Sequence, residues 1–393
     1  MRIGLDGLPL NQQLTGVGHY TLELARAMAL SAPGDHFEVV SPRPYLFDRK
    51  FVVRSDAWPP NLTFVQEPTN ILTRRWWRVG LPRYLAGSPV DLFHGTNFEV
   101  PLWTRQRCPT VLTVHDLSLL LHAETHEARH VRRSRWRLPK MIRAATMIIT
   151  PSESVRTELR EQLRIAEEKV AAVPEAPRAV FQPMPSQEAA AIARRLGIDK
   201  EFLLFVGTIE PRKDLATLLR AFAEVAGNRE SLRLVIAGRL GWVFDDLLQQ
   251  IRDSGFADRI KLTGYLDDEE LRALYSSCRA FIYPSIYEGF GLPPLEAMAC
   301  GAPVIAAGIA SLVEVCGEAA LFFDQRSADS LARAMMEMLD NENVSTGLIK
   351  AGRERAAEYS WKRTAQLTRA VYREAIDRFT SDLKQSKKAS LSG

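Results

Sequence analysis

The chain has 393 residues, of which 46% are apolar and 25% charged, and its formal net charge is +4. This length predicts about two domains, and the apolar fraction is too high for wholesale disorder. No apolar run approaches the roughly 20 residues that span a bilayer, and the start, MRIGLDGLPL, has the pattern of a first β-strand rather than of a signal peptide.

The charge is unevenly distributed along the chain. Residues 1–180 contain 24 Lys and Arg and 18 Asp and Glu. Because the whole chain contains 51 Lys and Arg and 47 Asp and Glu, the remaining residues contain 27 basic and 29 acidic side chains. An anionic partner is therefore expected to meet the first half. The four cysteines form no CxxC pair and have no histidine at metal spacing, which predicts reduced, mostly buried thiols of a cytosolic protein; a catalytic thiol is the alternative.

In the first half, short apolar runs alternate with segments of helical periodicity. The predicted strands are Arg2–Leu5, Phe37–Val40, Leu92–His94, Thr110–Val114 and Met147–Thr150, and the predicted helices are Tyr20–Leu30 and Glu153–Leu163. Such alternation predicts a parallel sheet with crossover helices.

Near residues 174–186 the chain is dense in proline and lacks periodicity, which is typical of a linker. The alternation then restarts. The predicted strands are residues 202–207, 232–238, 260–265, 280–285 and 303–307, with helices beginning near Leu215, Val243, Asp268, Pro294 and Asp329 and a last helix over Trp361–Leu383.

The predicted fold class is therefore α/β, with two doubly wound, Rossmann-like domains over residues 1–177 and 187–360. The helix over 361–383 follows the second core without a strand, so we expect it to return toward the first domain. Two such domains side by side would form a cleft lined by the carboxyl ends of their strands, where open α/β sheets bind ligands.

The segment SIYEGFGLPPLEAMACG (285–301) places Glu288 and Glu296 around a run of glycine and proline. The glycines allow a ligand to approach the backbone, and the prolines suit the first turn of a helix. The amides expected to face an anion there belong to Phe290, Gly291 and Leu292. Because a carboxylate binds vicinal hydroxyls well, the pattern favours a sugar, a ribose, or both joined by phosphate. The alternative is an ordinary loop with two solvated glutamates.

EGFGLPPLE resembles the E-x7-E signature of the retaining glycosyltransferases of family four, which have the GT-B fold. Further segments resemble this family in the same order along the chain: TGVGHYTLEL (15–24), LTVHDLS (112–118), VGTIEPRKDL (206–215), IAGRLGW (236–242), LTGYLDDEEL (262–271) and EYSWKRTA (358–365). The resemblance covers nearly the whole chain. Within the family, the chain most resembles bacterial mannosyltransferases of surface-polysaccharide and O-antigen assembly.

The resemblance implies that Glu288 holds hydroxyls of the donor sugar and that Glu296 binds the nucleotide ribose. It assigns Lys213 to the diphosphate, with Arg212 as the nearest second cation. The family often has Arg where this chain has Thr208, so we expect Arg212 or Arg239 to compensate. The other positions that it assigns to nucleotide binding are Thr208, Gly264 and Tyr265. The alternative for Lys213 and Arg212 is a pair of surface cations near a helix start.

In the first domain, Gly16 and Gly18 precede a helix and could lay amides against the diphosphate, although they form no dinucleotide fingerprint and would also suit a plain turn. His115 ends a predicted strand and stands in the TVHD context, which implies an orienting hydrogen bond near the reacting centre. The alternative is a partly buried histidine satisfied by its neighbours. The expected catalytic residues are therefore Glu288, His115 and Lys213.

Two basic segments contain tryptophan. Residues 128–145 have seven Lys and Arg and no acid, and residues 73–85 combine four arginines, in the range Arg74–Arg83, with two tryptophans. In the first of these segments the basic residues span Arg129–Arg143. Basic segments with aromatic residues favour binding to an anionic membrane surface or to a lipid-diphosphate acceptor, and the alternative is a solvated basic face. No nucleic-acid motif accompanies the charge, so nucleic acid is not expected as a partner.

We therefore expect a metal-independent retaining glycosyltransferase without a cofactor, acting in polysaccharide or lipopolysaccharide biosynthesis. Its expected substrates are a nucleotide-sugar donor, GDP-mannose by preference, and a glycan or lipid-diphosphate-linked glycan acceptor met by the first domain. We expect it in the cytoplasm, peripheral at the inner face of the membrane. The alternatives are a UDP-linked or other donor, a nucleotide-sugar epimerase, and a non-catalytic sugar-binding protein on the same scaffold.

Overall fold

The structure is a computed structural model that describes residues 1–45, 58–70, 73–101, 108–239 and 244–391. The chain divides into two compact units. Unit 1 comprises Met1–Leu120, Arg129–Glu175 and the segment that starts at Trp361, and unit 2 comprises Leu121–Ala128 and Ala176–Ser360. The C-terminal segment therefore belongs to the same unit as the N-terminus.

The strands described in unit 1 form one parallel sheet. They are β1 (Arg2–Asp6), β2 (His36–Ser41), β3 (Leu62–Gln66), β4 (Leu92–Gly95), β5 (Thr110–Thr113), β6 (Met147–Thr150) and β7 (Val170–Ala172). Their order across the sheet is β3-β2-β1-β4-β5-β6-β7. The central strands are buried along their whole length, because helices cover both faces of a parallel sheet.

Unit 2 repeats this plan with its own sheet. Its described strands are β8 (Phe202–Val206), β9 (Arg233–Ala237), β10 (Ile260–Gly264), β11 (Ala280–Tyr283), β12 (Val304–Ala307) and β13 (Ala320–Phe323). All described pairings are parallel, and the order β10-β9-β8-β11-β12-β13 is the 3-2-1-4-5-6 order of the Rossmann fold. The predicted fold class, two Rossmann-like α/β domains, is confirmed.

Helices connect the strands of both sheets. In chain order they are α1 (Gly16–Ser31), α2 (Leu81–Gly87), α3 (Ser118–Leu121), α4 (Ala128–Ala144), α5 (Glu153–Leu163), α6 (Ser186–Arg195), α7 (Leu215–Ala226), α8 (Phe244–Asp253), α9 (Asp268–Ser277), α10 (Leu292–Cys300), α11 (Ala310–Cys316), α12 (Ala328–Asp340), α13 (Glu342–Ala357) and α14 (Trp361–Leu391). Helix α10 begins two residues before the predicted Pro294, and Val243, the predicted start of α8, lies outside the described residues.

The strand order fixes where each sheet can bind a ligand. In unit 1 the chain builds outward from β1 to β3 and then restarts beside β1 with β4. In unit 2 the same reversal separates β8 from β11. At such a switch point the loops after the two strands run to opposite faces and leave a crevice between them, so ligands of open α/β sheets bind there.

Helix α14 packs against α1 within unit 1. Val371, Tyr372 and Ala375 are buried on one face of α14, at the spacing expected of an amphipathic helix. The hydroxyl of Tyr372 lies 2.7 Å from Nδ1 of His94, whose Nε2 lies 2.8 Å from the Thr113 hydroxyl. Burial lowers the pKa of His94 to about 3, so this histidine is neutral and structural.

Three short strands, β3, β7 and β13, were not predicted from the sequence. Each is three to five residues long and only partly buried, so its apolar pattern is weak. Helix α14 extends beyond the predicted end at Leu383.

The four cysteines are free thiols and none is fully exposed. Burial raises the pKa of Cys108 to about 11 and that of Cys300 and Cys316 to about 12, and it also raises the pKa of Cys278, so all four stay protonated at neutral pH. Among the residues that the structure describes, no helix combines the length and the apolar composition needed to cross a bilayer.

Candidate active site

The candidate site of unit 2 lies at its switch point. The loop after β8 ends in a 3₁₀ turn that contains Arg212 and Lys213, and the loop after β11 contains Glu288. Strands β8 and β11 are paired neighbours, and a backbone hydrogen bond from Ile286 N to Arg212 O, 2.9 Å long, joins the two loops. The fold therefore brings together side chains that are 75 residues apart in sequence.

Glu288 binds both cations. Its Oε1 accepts a hydrogen bond from Lys213 Nζ at 2.5 Å, and its Oε2 lies 3.0 Å from Nη1 of Arg212. Lys213 also donates to the Tyr283 hydroxyl at 2.9 Å, and Arg212 donates to the carboxylate of Glu210 at 2.6 Å. We call Arg212, Lys213 and Glu288 the switch-point cluster.

The switch-point cluster is buried and charged. Burial alone would raise the pKa of Glu288, but the charges of Arg212 and Lys213 outweigh it and lower this pKa to about 2. Burial, together with the nearby Arg212, lowers the pKa of Lys213. Glu288 therefore stays ionised at any physiological pH and serves as a hydrogen-bond acceptor rather than as an acid.

Glu296 lies on α10 and has a different partner. It is 8% exposed, and its Oε1 lies 3.5 Å from Nε of Arg178, which binds both carboxylate oxygens of Asp268 at 2.8 and 2.7 Å. Burial raises the pKa of Glu296 to about 7, against the opposing charge of Arg178. Arg178 is not among the residues predicted from the sequence, because it stands in the proline-rich segment interpreted as a linker.

The N-terminus of α10 supplies backbone donors beside Glu288. No side chain caps this helix, and Pro293 and Pro294 have no N–H, so the backbone donors at its start are the amides of Gly291 and Leu292. Gly291 has a φ of +122°, and a Cβ at this position would lie 2.7 Å from Leu312. The ring of Phe290 is buried and packs edge-to-face on Tyr359, so only the backbone of Phe290 could face a ligand. Leu292 is the first residue of the helix.

The remaining predicted residues of unit 2 lie at strand ends. Thr208 is half-buried in the loop after β8, and Arg239, the other expected substitute for the family arginine, has an exposed side chain. It is Arg212 that contacts Glu288. Gly264 ends the edge strand β10, two strands from β8, and Tyr265, which follows it, is 38% exposed.

His115 belongs to unit 1, and both of its ring nitrogens have partners there. Nδ1 lies 3.2 Å from the carboxylate of Glu175, and Nε2 lies 2.8 Å from the carbonyl oxygen of Thr96. A carbonyl oxygen and an ionised carboxylate only accept hydrogen bonds, so these two contacts favour the imidazolium form of the ring, with hydrogen on both nitrogens. Burial opposes this charge, but Glu175 raises the pKa of His115 above its ordinary value. Glu175 also stands in the segment interpreted as a linker.

Gly16 and Gly18 lie in the first turn of α1, which has no side-chain cap at Thr15. A Cβ on Gly16 would meet nothing within 4 Å, whereas one on Gly18 would lie 2.9 Å from Leu14 and 3.2 Å from Pro9 O. Packing against Leu14 and Pro9 thus disfavours a side chain at Gly18, whereas the space beside Gly16 is open.

No group of three or more His, Cys, Asp and Glu side chains in the described ranges is arranged to hold a metal ion. Activity without a metal remains a prediction.

Two family models match the chain. Residues 14–176 match the model described as Glycosyltransferase Family 4, and residues 188–355 match the one described as Glycosyl transferases group 1. The chain is a glycosyltransferase, with a family 4 domain followed by a group 1 domain. The family predicted from the sequence motifs is therefore confirmed.

Relatives of this glycosyltransferase agree with the assignment. O-antigen chain mannosyltransferase B of Escherichia coli is 29% identical over 385 residues, which cover 95% of this chain and 100% of that protein. Sucrose-phosphate synthase of Thermosynechococcus elongatus has a TM-score of 0.74 at 22% identity, with 95% and 98% of the two chains covered. HepE of Anabaena, solved in complex with UDP and glucose, has a TM-score of 0.73 at 18% identity, with 95% and 99% covered. The two structures show the same fold.

The imidazolium of His115 predicts a pH-dependent stability. Because Glu175 raises the pKa of His115 above the 6.5 of a free histidine, the pair's stabilisation is fully present below pH 6.5 and is lost as the pH rises through the folded pKa. We expect the Tm difference between the wild type and Glu175→Gln, measured by calorimetry, to be largest near pH 6 and to shrink toward about pH 9. A constant difference over this range would contradict the ion pair.

Proposed function

We propose that this glycosyltransferase moves a hexose, mannose from GDP-mannose in the simplest case, to a glycan or lipid-diphosphate-linked glycan of a surface polysaccharide, with retention at the anomeric carbon. The observation that carries the proposal is the switch-point cluster. It places an ionised carboxylate, two cations and a helix N-terminus where a Rossmann-like sheet binds its ligand.

Lys213 and Arg212 suit the diphosphate of the donor. When the bond between the anomeric carbon and the phosphate oxygen breaks, negative charge grows on the departing nucleotide diphosphate, and preorganised cations and amides stabilise it. The cations are already held in place by Glu288, Glu210 and Tyr283, so little reorganisation accompanies the reaction.

Glu288 suits the donor sugar. An ionised carboxylate accepts hydrogen bonds from two vicinal hydroxyls, and its negative charge also favours the oxocarbenium-like transition state. In a same-face substitution the acceptor oxygen bonds to the anomeric carbon while the departing phosphate takes the acceptor's proton. This step needs neither a metal nor a protein nucleophile.

Glu296 suits the ribose of the nucleotide. It is a second buried carboxyl, oriented by Arg178, and it stands about one turn from the start of α10. A carboxyl with a pKa of about 7 can accept a hydrogen bond from a ribose hydroxyl when ionised and donate one to it when protonated.

Mannose is supported by the name of the relative that covers 95% of this chain, an O-antigen mannosyltransferase. The complex of HepE with UDP and glucose keeps a UDP-linked donor as the main alternative. Family membership disfavours an epimerase and a non-catalytic sugar-binding protein.

Contact with an anionic membrane is a second part of the proposal. Helix α4 has exposed arginines and no acidic residue, and its Trp136 is 57% exposed with Lys140 Nζ 3.6 Å above the ring. In the range Arg74–Arg83 the arginines at 74, 75, 78 and 83 are exposed, but Trp76 is buried in the core, so the supporting surface is mainly α4. We therefore propose that the reaction takes place in the cytoplasm, at the inner face of the membrane. The four free thiols are consistent with this reducing compartment.

The donor assignment predicts different effects for the two carboxylates. Glu288→Ala should lower kcat/KM about 100-fold or more, because transition-state contacts are lost, and Glu296→Ala should mainly raise the KM for the donor. The assay is mannose transfer from GDP-mannose to a mannosyl-terminated acceptor with and without EDTA, with the product anomer read by NMR. Glu224→Ala, an exposed carboxylate on α7, is the matched control. Full activity in both site variants would overturn the assignment.

The membrane proposal predicts a charge-dependent association. Replacing Arg132 and Arg135 by Glu should weaken co-sedimentation with phosphatidylglycerol vesicles, since each basic residue contributes about 1 kcal/mol at an anionic surface. Arg195→Glu on α6, also exposed, is the control. Equal association of the wild type with phosphatidylcholine and phosphatidylglycerol vesicles would reject the proposal.

A further inference from the structure

The proline-rich segment that the sequence predicts to be a linker is fixed to helix α9 in unit 2. Arg272 of α9 donates through Nε and Nη2 to the carbonyl oxygens of residues 182 and 183, both at 2.8 Å. The amide of Met184 donates to the hydroxyl of Ser276, also on α9, at 3.2 Å. Residues 178–184 are therefore held along this helix, and we call them the α9 strap.

Arg178 begins the α9 strap, and its guanidinium is held on two sides. Nη1 donates to both carboxylate oxygens of Asp268, the first residue of α9, at 2.8 and 2.7 Å. Cζ lies 4.7 Å from the centre of the Phe181 ring, and the amide of Phe181 donates to Arg178 O at 3.0 Å, which closes the turn that brings the two side chains together. None of these contacts involves Glu296, so they fix Arg178 independently of it.

The start of α9 fixes Asp268 in turn. Asp267 caps the helix and forms a capping box with Glu270, which sets the direction in which the first turn begins. A carboxylate in the first turn is also favoured by the helix dipole. The strap and the helix thus present Arg178 and Asp268 as one preformed pair.

Glu296 of α10 meets this pair through one long contact. Its Oε1 lies 3.5 Å from Nε of Arg178, at the upper limit of a hydrogen bond. A carboxylate has about four lone-pair sites, so this contact orients the group and leaves it able to accept hydrogen bonds from two vicinal hydroxyls.

The two charges of the pair act on Glu296 in opposite directions. Burial raises the pKa of Glu296 to about 7, the charge of Arg178 lowers it, and the charge of Asp268 raises it. Glu296 is therefore close to half ionised at neutral pH, and a change at either member of the pair shifts this balance.

The other titratable groups near Glu296 are neutral or distant. Burial raises the pKa of Tyr275 on α9 well above its ordinary value and that of Cys300 on α10 to about 12, so both stay protonated. From α13, the guanidinium of Arg353 reaches the opposite end of α10, beside Gly301.

We propose that Arg178 and Asp268 are positioning residues of the donor site: Arg178 holds the Glu296 carboxylate for the two hydroxyls of the nucleotide's ribose, and Asp268 limits how strongly Arg178 binds that carboxylate. The proposal rests on the proposed function, because it assigns the pair to the ribose of a nucleotide-sugar. It is independent of the base and of the sugar transferred.

The test compares the binding of GDP and 2′-deoxy-GDP, and of UDP and 2′-deoxy-UDP, by calorimetry on the full chain between about pH 6 and pH 8. The ratio of the two Kd values in a pair reports the contact with the 2′-hydroxyl, since phosphate ionisation is common to both ligands. Because an ionised carboxylate binds a hydroxyl more strongly, we expect the wild type to prefer the ribonucleotide about tenfold at pH 8 and less at pH 6, with a midpoint near the pKa of Glu296.

The variants of the pair should shift this pH dependence in opposite directions. In Arg178→Gln the preference is lost at pH 7, because Glu296 is protonated there, whereas in Asp268→Asn it persists at pH 6. Arg178→Lys keeps the positive charge and should return the midpoint toward that of the wild type. Arg195→Gln and Asp199→Asn, both at exposed positions, are the matched controls and should behave as the wild type.

A merely structural role of the pair would weaken binding of both ligands equally and leave the midpoint in place. The proposal is overturned if the midpoint is the same in all variants or moves in the same direction in Arg178→Gln and Asp268→Asn. Should Arg178→Gln fail to fold in melting curves, Arg178→Lys and Asp268→Asn decide alone.

A transfer assay separates the proposal from the proposed function. The expected shifts in ribose preference without any sugar transfer by the wild type would reject the function and keep the positioning pair. Transfer with a wild-type donor KM in Arg178→Gln would reject the pair and keep the function. Absence of nucleotide binding by the wild type would reject both.

Discussion

A buried carboxylate between two cations is the interaction on which the candidate donor site depends. Burial alone would raise the pKa of Glu288, and the charges of Arg212 and Lys213 lower it instead. The charge of Glu288 in turn favours the protonated form of Lys213, against the opposing effects of burial and of Arg212. The pair also ties the loops after β8 and β11 together, so the charged groups and the start of α10 are fixed before a ligand arrives. Removing Glu288 would leave two buried cations with one fewer partner, which is why its loss affects structure and chemistry together.

The parallel sheet supplies the same constraint twice. In each unit the strand order reverses once. In unit 2 the loops at that point bring Lys213 and Glu288 into contact, and in unit 1 the loop after β4 carries Glu99, which pairs with Arg137 of α4. The chemistry differs, however. In unit 2 both oxygens of Glu288 contact cations, which suits a charged diphosphate beside them, whereas in unit 1 the contacts of Glu99 with Arg133 and Arg137 both involve its Oε1.

The sequence predicted the fold class, the family and the local motif around Glu288, because these depend on periodicity and on residues close together in the chain. It could not predict partners brought together by tertiary folding. Arg178 and Glu296 are 118 residues apart, and His115 and Glu175 are 60 apart. Both missed partners stand in a proline-rich segment that looks like a linker. The different roles of Gly16 and Gly18 likewise depend on whether Leu14 and Pro9 pack over the helix start, which spacing does not show.

The measurement that tests the central claim most directly is the thermal stability of the protein with GDP, UDP, ADP and dTDP, each with and without EDTA, for the wild type and Lys213→Gln. A ligand that binds only the native state raises the Tm by mass action. The account predicts that GDP stabilises the wild type, equally with EDTA, and stabilises Lys213→Gln less. A preference for UDP would keep the site and change the donor. If no nucleoside diphosphate raised the Tm, the switch-point cluster would not be a nucleotide-sugar site.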